Sequence, residues 1–160
     1  MTDVQESAAT PVDDPAPKTV ATTHGPVEFV AVGEGPAVLA VHGARGGYDQ
    51  GVILARAIGA PGYRHVAVSR PGYLGAPLTA GQTPEEQADC CAAILDALGI
   101  AAAAVMAVSG GGPCARQFTL RHRARCRGLV LVATDVEQGY IDFAAGNGSP
   151  ALGRRPRATH

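Results

Sequence analysis

The segment Ala107-Val108-Ser109-Gly110-Gly111 places a serine between a run of small and branched apolar residues and three consecutive glycines. A serine between a strand and a helix, followed by small residues, takes up a strained turn that exposes its hydroxyl and leaves room for the next helical turn, a nucleophile elbow. Its usual pattern is G-x-S-x-G; here Ala107 replaces the first glycine and is small enough to pack in its place. Such a hydroxyl performs acyl transfer when backbone amides hold the oxyanion that develops. A second segment, His42-Gly43-Ala44-Arg45-Gly46-Gly47, has the glycines that let amides point at a bound oxygen. A third, Arg70-Pro71-Gly72-Tyr73, also follows a strand-like run. Taken alone, Ser109 is equally a turn residue with a satisfied hydroxyl.

The elements that must position these loops are legible from apolar runs. Strands are expected over residues 19–23, 27–32, 37–41, 65–69, 103–108 and 128–133, several of them continuously apolar, as in a sheet covered on both faces. Helical spacing predicts a helix over 51–58 that stops at Gly59. Thr83-Pro84-Glu85-Glu86 supplies a cap, a first-turn proline and a capping-box glutamate. That second helix places Ala88, Cys91, Ala92, Leu95 and Leu98 on one face and stops at Gly99. A third helix is expected from about 111 to 122. Opening strands followed by strand-helix alternation predict an α/β fold with a mostly parallel sheet and helices on both faces. In such sheets ligands gather beyond the carboxyl ends of the strands, where all three loops lie.

Length and composition bound the rest. The 160 residues are 46% apolar, enough for one core. Residues 1–18 have almost no large apolar side chain and are expected to form a disordered tail. The domain is expected over 19–137, and 138–160 reads as an irregular Arg-rich tail. Only 4% of residues are aromatic and the net charge is −1, which argues against nucleic acid as a partner. Arg121, Arg123, Arg125 and Arg127 fall at a predicted helix end, where cations complement the carbonyl dipoles. The longest apolar run, residues 100–108, is far short of the roughly 20 that span a bilayer, so no membrane segment is expected. Asp3 and Glu6 stand where a secretory signal carries cations, which points to the cytoplasm. Cys90, Cys91, Cys114 and Cys126 have no metal-ligand spacing and read as small buried hydrophobes; no metal is expected.

In order, Gly33-Glu34-Gly35-Pro36 before a strand ending in His42-Gly43, then Ser69-Arg70-Pro71-Gly72-Tyr73, the Ser109 elbow, and residues 128–132 resemble the α/β-hydrolase superfamily over roughly 19–135. The resemblance implies a partial α/β-hydrolase fold, Ser109 as acyl-forming nucleophile, and the amides of Ala44 and Gly110 as oxyanion hole. It implies an ester-like small-molecule substrate and no cofactor. His42 is expected to shape its loop, and Arg45 to project into solvent. The family also needs an acid and a histidine after the serine. Asp135, after the last predicted strand, and His160, alone in having the right order, are the remaining candidates. Two further strands that the family carries are not seen. The expectation is therefore a truncated hydrolase half, weakly active or inactive, whose open last strand leads to self-association.

Two other readings compete. Gly110, Gly112 and Ala115 fit G-x-G-x-x-A, with Asp135 after the next strand, as in a flavin- or nicotinamide-binding Rossmann-type domain. Against it, the fingerprint normally opens on the first strand of its fold. A non-catalytic dimerising module follows if the triad is incomplete.

Overall fold

The computed structural model describes residues 15–134. Six strands form one sheet: β1 (Lys18–Thr22), β2 (Gly25–Val32), β3 (Ala37–Val41), β4 (Arg64–Val68), β5 (Ala103–Val108) and β6 (Cys126–Val132), in the order β1-β2-β4-β3-β5-β6. Three helices cross between them: α1 (Tyr48–Ile58), α2 (Pro84–Ala97) and α3 (Gly112–Arg121). β3 pairs in parallel with β4 and β5, and β5 with β6, while β1–β2 and β2–β4 are antiparallel. The sheet is mostly parallel, as expected.

Parallel crossovers are right-handed, so the direction of each step decides which face its helix covers. The chain steps from β3 to β4 in one direction, then back past β3 to β5 and onward to β6. Accordingly α1 covers one face, while α2 and α3 cover the other. The strand residues sort by alternation. Val38, Ala40, Ala67 and Met106 pack with Val52 and Leu54 of α1, whereas Leu39, Val41, Val66, Val68, Val105 and Ala107 pack with Ile94, Leu95, Cys114 and Phe118 of α2 and α3. The reversal of direction makes a topological switch point between β3 and β5, and the crevice for a ligand opens there.

Element boundaries differ from expectation by a few residues. α1 begins three residues early, at Tyr48, because Asp49 accepts the Gly47 amide at 2.8 Å and holds the turn before the first apolar residue of the repeat. β1 starts at Lys18, whose Cα partner is Phe29, so the last residue assigned to the tail belongs to the sheet. β6 starts at Cys126, two residues before the expected Gly128. The Thr83–Glu86 capping box of α2 forms as read. Residues 1–14 and 135–160, with most of both expected tails, lie outside the described residues.

The arginines at the end of α3 and after it do more than complement a dipole. Arg121 pairs with Asp89 of α2 at 2.6 Å, and the hydrogen bond from this guanidinium, with that of His122, holds the Asp89 carboxyl below its ordinary range. Arg125 pairs with Asp96 and donates to the Ile100 and Ala101 carbonyls. The cations therefore bind α2 to the start of β6. Cys90, Cys91 and Cys114 are buried and all four cysteines are free thiols. Burial pushes the Cys90 thiol up to about 11, and contact with Cys114 together with burial raises Cys91 as well, so these groups stay protonated and act as packing.

Candidate functional site

Ser109 follows β5 at the switch point and begins a single 3₁₀ turn, Ser109–Gly111, that feeds α3. Its φ is +47°, in the left-handed region that side chains other than glycine seldom adopt. Such a conformation costs on the order of 1–3 kcal/mol and persists only where the surroundings enforce it. Here the enforcement is visible at Gly111. A Cβ on this residue would lie 2.5 Å from the His42 carbonyl oxygen and 2.7 Å from that of Val41, so the turn presses directly on the end of β3. Ala107 is wholly buried. Ser109 itself is exposed, and among the described residues its hydroxyl has no hydrogen-bond partner. Ala107-Val108-Ser109-Gly110-Gly111 thus forms a strained strand-to-helix turn with an exposed serine.

The loop after β3 lies against it. A Cβ built on Gly43 would sit 3.1 Å from the Ser109 Cβ, and one on Gly110 would sit 3.4 Å from the Ala44 amide nitrogen. The structure thus brings Ser109, Gly110 and Ala44 together. No acceptor among the described residues takes the Ala44 amide. Arg45, at φ +64°, is exposed, as expected.

His42 is wholly buried, and both ring nitrogens are engaged. The Arg70 amide donates to Nε2 at 2.9 Å, which leaves the ring proton on Nδ1, 2.6 Å from the Gly43 carbonyl oxygen. Burial, and then the Arg70 charge, lower its pKa from 6.5 to about 4, so the ring is neutral. It shapes the loop and has no free nitrogen for proton transfer. The other described histidines are elsewhere: His24 in the β1–β2 turn, His65 on β4, and His122 on Asp89. Asp135 and His160 lie outside the described residues.

Sequence reasoning gave no role to two residues that the structure places at this site. Gln50, in the first turn of α1, accepts the Gly43 amide at 2.6 Å. Arg70, 7% exposed, donates from Nη2 to the Gly43 carbonyl at 3.0 Å and from Nη1 to Gln87 at 3.2 Å, with its guanidinium 4.8 Å from the Tyr73 ring centroid. The signal for Arg70 was its position directly after β4, beside the switch point. For Gln50 there was none, because α1 was expected to start after it.

The glycines of the competing dinucleotide fingerprint are used for packing. Gly112 is pressed by Thr134, Ala115 is wholly buried, and the strand that leads into them is the fifth of the chain.

Residues 36–155 match the family described as alpha/beta hydrolase fold. The chain belongs to that family. An alpha/beta hydrolase fold protein from Nakamurella multipartita is 51% identical, with a TM-score of 0.72, over 74% of this chain and 41% of the other. An epoxide hydrolase from an endophytic Streptomyces is 27% identical with a TM-score of 0.66, over 72% of this chain and 36% of the other. An N-acyl homoserine lactonase solved with N-butanoyl homoserine is 25% identical with a TM-score of 0.64, over 74% and 45%. This α/β-hydrolase chain spans less than half the length of each. No curated protein matches it. No helix among the described residues is long and apolar enough to cross a membrane.

Proposed function

We propose that this α/β-hydrolase chain carries the nucleophile and oxyanion hole of a serine hydrolase acting on an ester-like small molecule. The observation that carries the reading is the exposed Ser109 at φ +47° with the Ala44 amide beside Gly110. Ser109 Oγ forms a bond to the acyl carbon, the carbonyl π electrons move onto oxygen, and the Ala44 and Gly110 amides donate to that oxyanion. The serine proton passes to a base, and collapse expels the alcohol. Water then cleaves the acyl-serine ester.

That last step separates substrate classes. Opening an epoxide with a serine hydroxyl leaves an ether, which water does not hydrolyse, whereas an ester or lactone leaves an acyl-serine that turns over. The acyl substrate is therefore preferred over the epoxide of the Streptomyces relative, and the lactone of the lactonase belongs to the same acyl class. Among the described residues none is placed to act as that base. Without one the hydroxyl stays protonated, and the rate falls about 10²- to 10⁴-fold short of a complete triad. A cytoplasmic location accords with the free buried thiols.

A fluorophosphonate probe with a mass-mapped adduct tests the nucleophile. Slow labelling confined to Ser109 is expected; labelling elsewhere, or none over a day, overturns the assignment. Self-association is also proposed. β6 is the outer strand, Val130 is 49% exposed, and among the described residues nothing pairs with its free edge. Gel filtration of the 160-residue chain is expected to show concentration-dependent species larger than monomer, and a monomer at every concentration would refute this.

A further inference from the structure

The peptide unit that joins Gly43 to Ala44 is held from both sides. On the Gly43 side, the amide nitrogen is taken by Gln50 and the carbonyl oxygen receives two donors, Nδ1 of His42 at 2.6 Å and Nη2 of Arg70 at 3.0 Å. Both lone pairs of that oxygen are occupied. On the other side the Ala44 N–H is unclaimed among the described residues and lies beside Gly110. Arg70 differs from an ordinary buried arginine. Among the described residues no carboxylate pairs with it, and its Nε has no acceptor. Next to it is a cavity of about 10 Å³, lined also by Gln87, Cys90 and Cys91, no larger than one water. Among the described residues no carboxylate balances the positive charge, and the Gly43 carbonyl is the backbone oxygen to which it donates.

From this arrangement we infer that Arg70 is a positioning residue that polarises the Gly43–Ala44 peptide and makes the Ala44 amide a stronger oxyanion donor. A cation on the carbonyl oxygen draws electron density from the nitrogen of the same peptide unit, and hydrogen bonds in series reinforce one another. The neutral His42, fixed in its tautomer by the Arg70 amide, adds the second donor. Gln50 holds the preceding peptide through the Gly43 amide. The catalytic meaning of this device rests on Ala44 being an oxyanion donor, as proposed above; the polarisation itself does not.

Hydrogen exchange of the Ala44 amide in ¹⁵N-labelled protein tests it directly. Base-catalysed exchange removes the amide proton and places transient negative charge on the Gly43 oxygen, the atom that Arg70 touches. Polarisation therefore speeds exchange in the wild type. In Arg70→Gln and in Arg70→Met, two neutral variants of which either suffices if the other does not fold, Ala44 exchange is expected to slow by about tenfold, since a unit charge at hydrogen-bond range is worth at least that. The Gly128 amide, on β6 and remote from Arg70, is expected to keep its rate. A residue that merely braces the loop predicts the opposite sign, because a loosened loop exchanges faster. Unchanged or faster Ala44 exchange overturns the inference. Fluorophosphonate labelling of the same samples reads the nucleophile separately. Slowed exchange without labelling of Ser109 upholds the polarisation and removes the hydrolase reading, and labelling with unchanged exchange does the reverse.

Discussion

Ser109→Ala is expected to reduce hydrolysis of p-nitrophenyl acetate to at most a residue of non-covalent turnover and to abolish the acetyl adduct seen by mass spectrometry, with the fold unchanged. The hydroxyl is exposed and makes no hydrogen bond among the described residues, so its removal costs the fold nothing that the structure shows. Replacing Ser109, at φ +47°, with alanine keeps a Cβ and hence leaves the strain of the turn as it is. What disappears is the covalent route. In complete triad enzymes, the oxyanion hole and binding alone sustain about 10³- to 10⁴-fold over water, so some non-covalent turnover by the Ala44 and Gly110 amides is the most that remains. His160→Ala is expected to leave the wild-type rate unchanged. A base acts only within hydrogen-bond reach of the proton it takes, and the sequence from residue 138 onward has no strand or helix pattern that would hold an imidazole there. A fast esterase that loses its activity in both variants would refute this expectation and place the base at His160.

The fold was legible because its signals are local and repeated. Continuous apolar runs marked β3 and β5 to the residue, and the Thr83–Glu86 box marked the start of α2. Where boundaries moved, a side chain outside the periodic pattern was responsible, as with Asp49 at the start of α1. The nucleophile turn was legible for a similar reason: serine between a strand and glycines is a contiguous pattern. The support beneath it was not. Gly43 receives its partners from positions 42, 50 and 70, which come together because β4 pairs in parallel beside β3 across the α1 crossover. Arg70 in particular reads as one more loop cation until the sheet order puts its guanidinium under the Gly43 carbonyl. Contacts of this kind depend on topology, and periodicity carries no trace of them.

Acidification is expected to destabilise the protein well before its carboxylates titrate, and His42 is the reason. In the fold its pKa is about 4, against 6.5 for an ordinary histidine, through burial and then the Arg70 charge. The unfolded chain therefore binds the proton more readily, and stability rises with pH wherever that holds. The contribution is fully present above about pH 6.5, falls as pH drops through the window, and is lost by about pH 4. A shift of that size corresponds to about 3 kcal/mol, a large part of the stability of a small domain. His65, lowered by burial, acts in the same sense below its ordinary 6.5. Asp89 and Glu86 do not: hydrogen bonds from Arg121 to the first, and from the Gln82 and Thr83 amides to the second, depress them, so their stabilisation is lost only below their ordinary values of 3.8 and 4.5. Urea midpoints between about pH 7.5 and 5 thus isolate the histidines. The wild type is expected to lose stability steadily across that range. His42→Asn, less stable at pH 7.5 because the ring bridge between the Arg70 amide and the Gly43 carbonyl is lost and Arg70 Nη2 remains as that carbonyl's donor, is expected to show a much flatter profile. Equal slopes in the two proteins would mean that His42 is already charged in the fold, and the neutral ring that bridges the two loops would have to be abandoned.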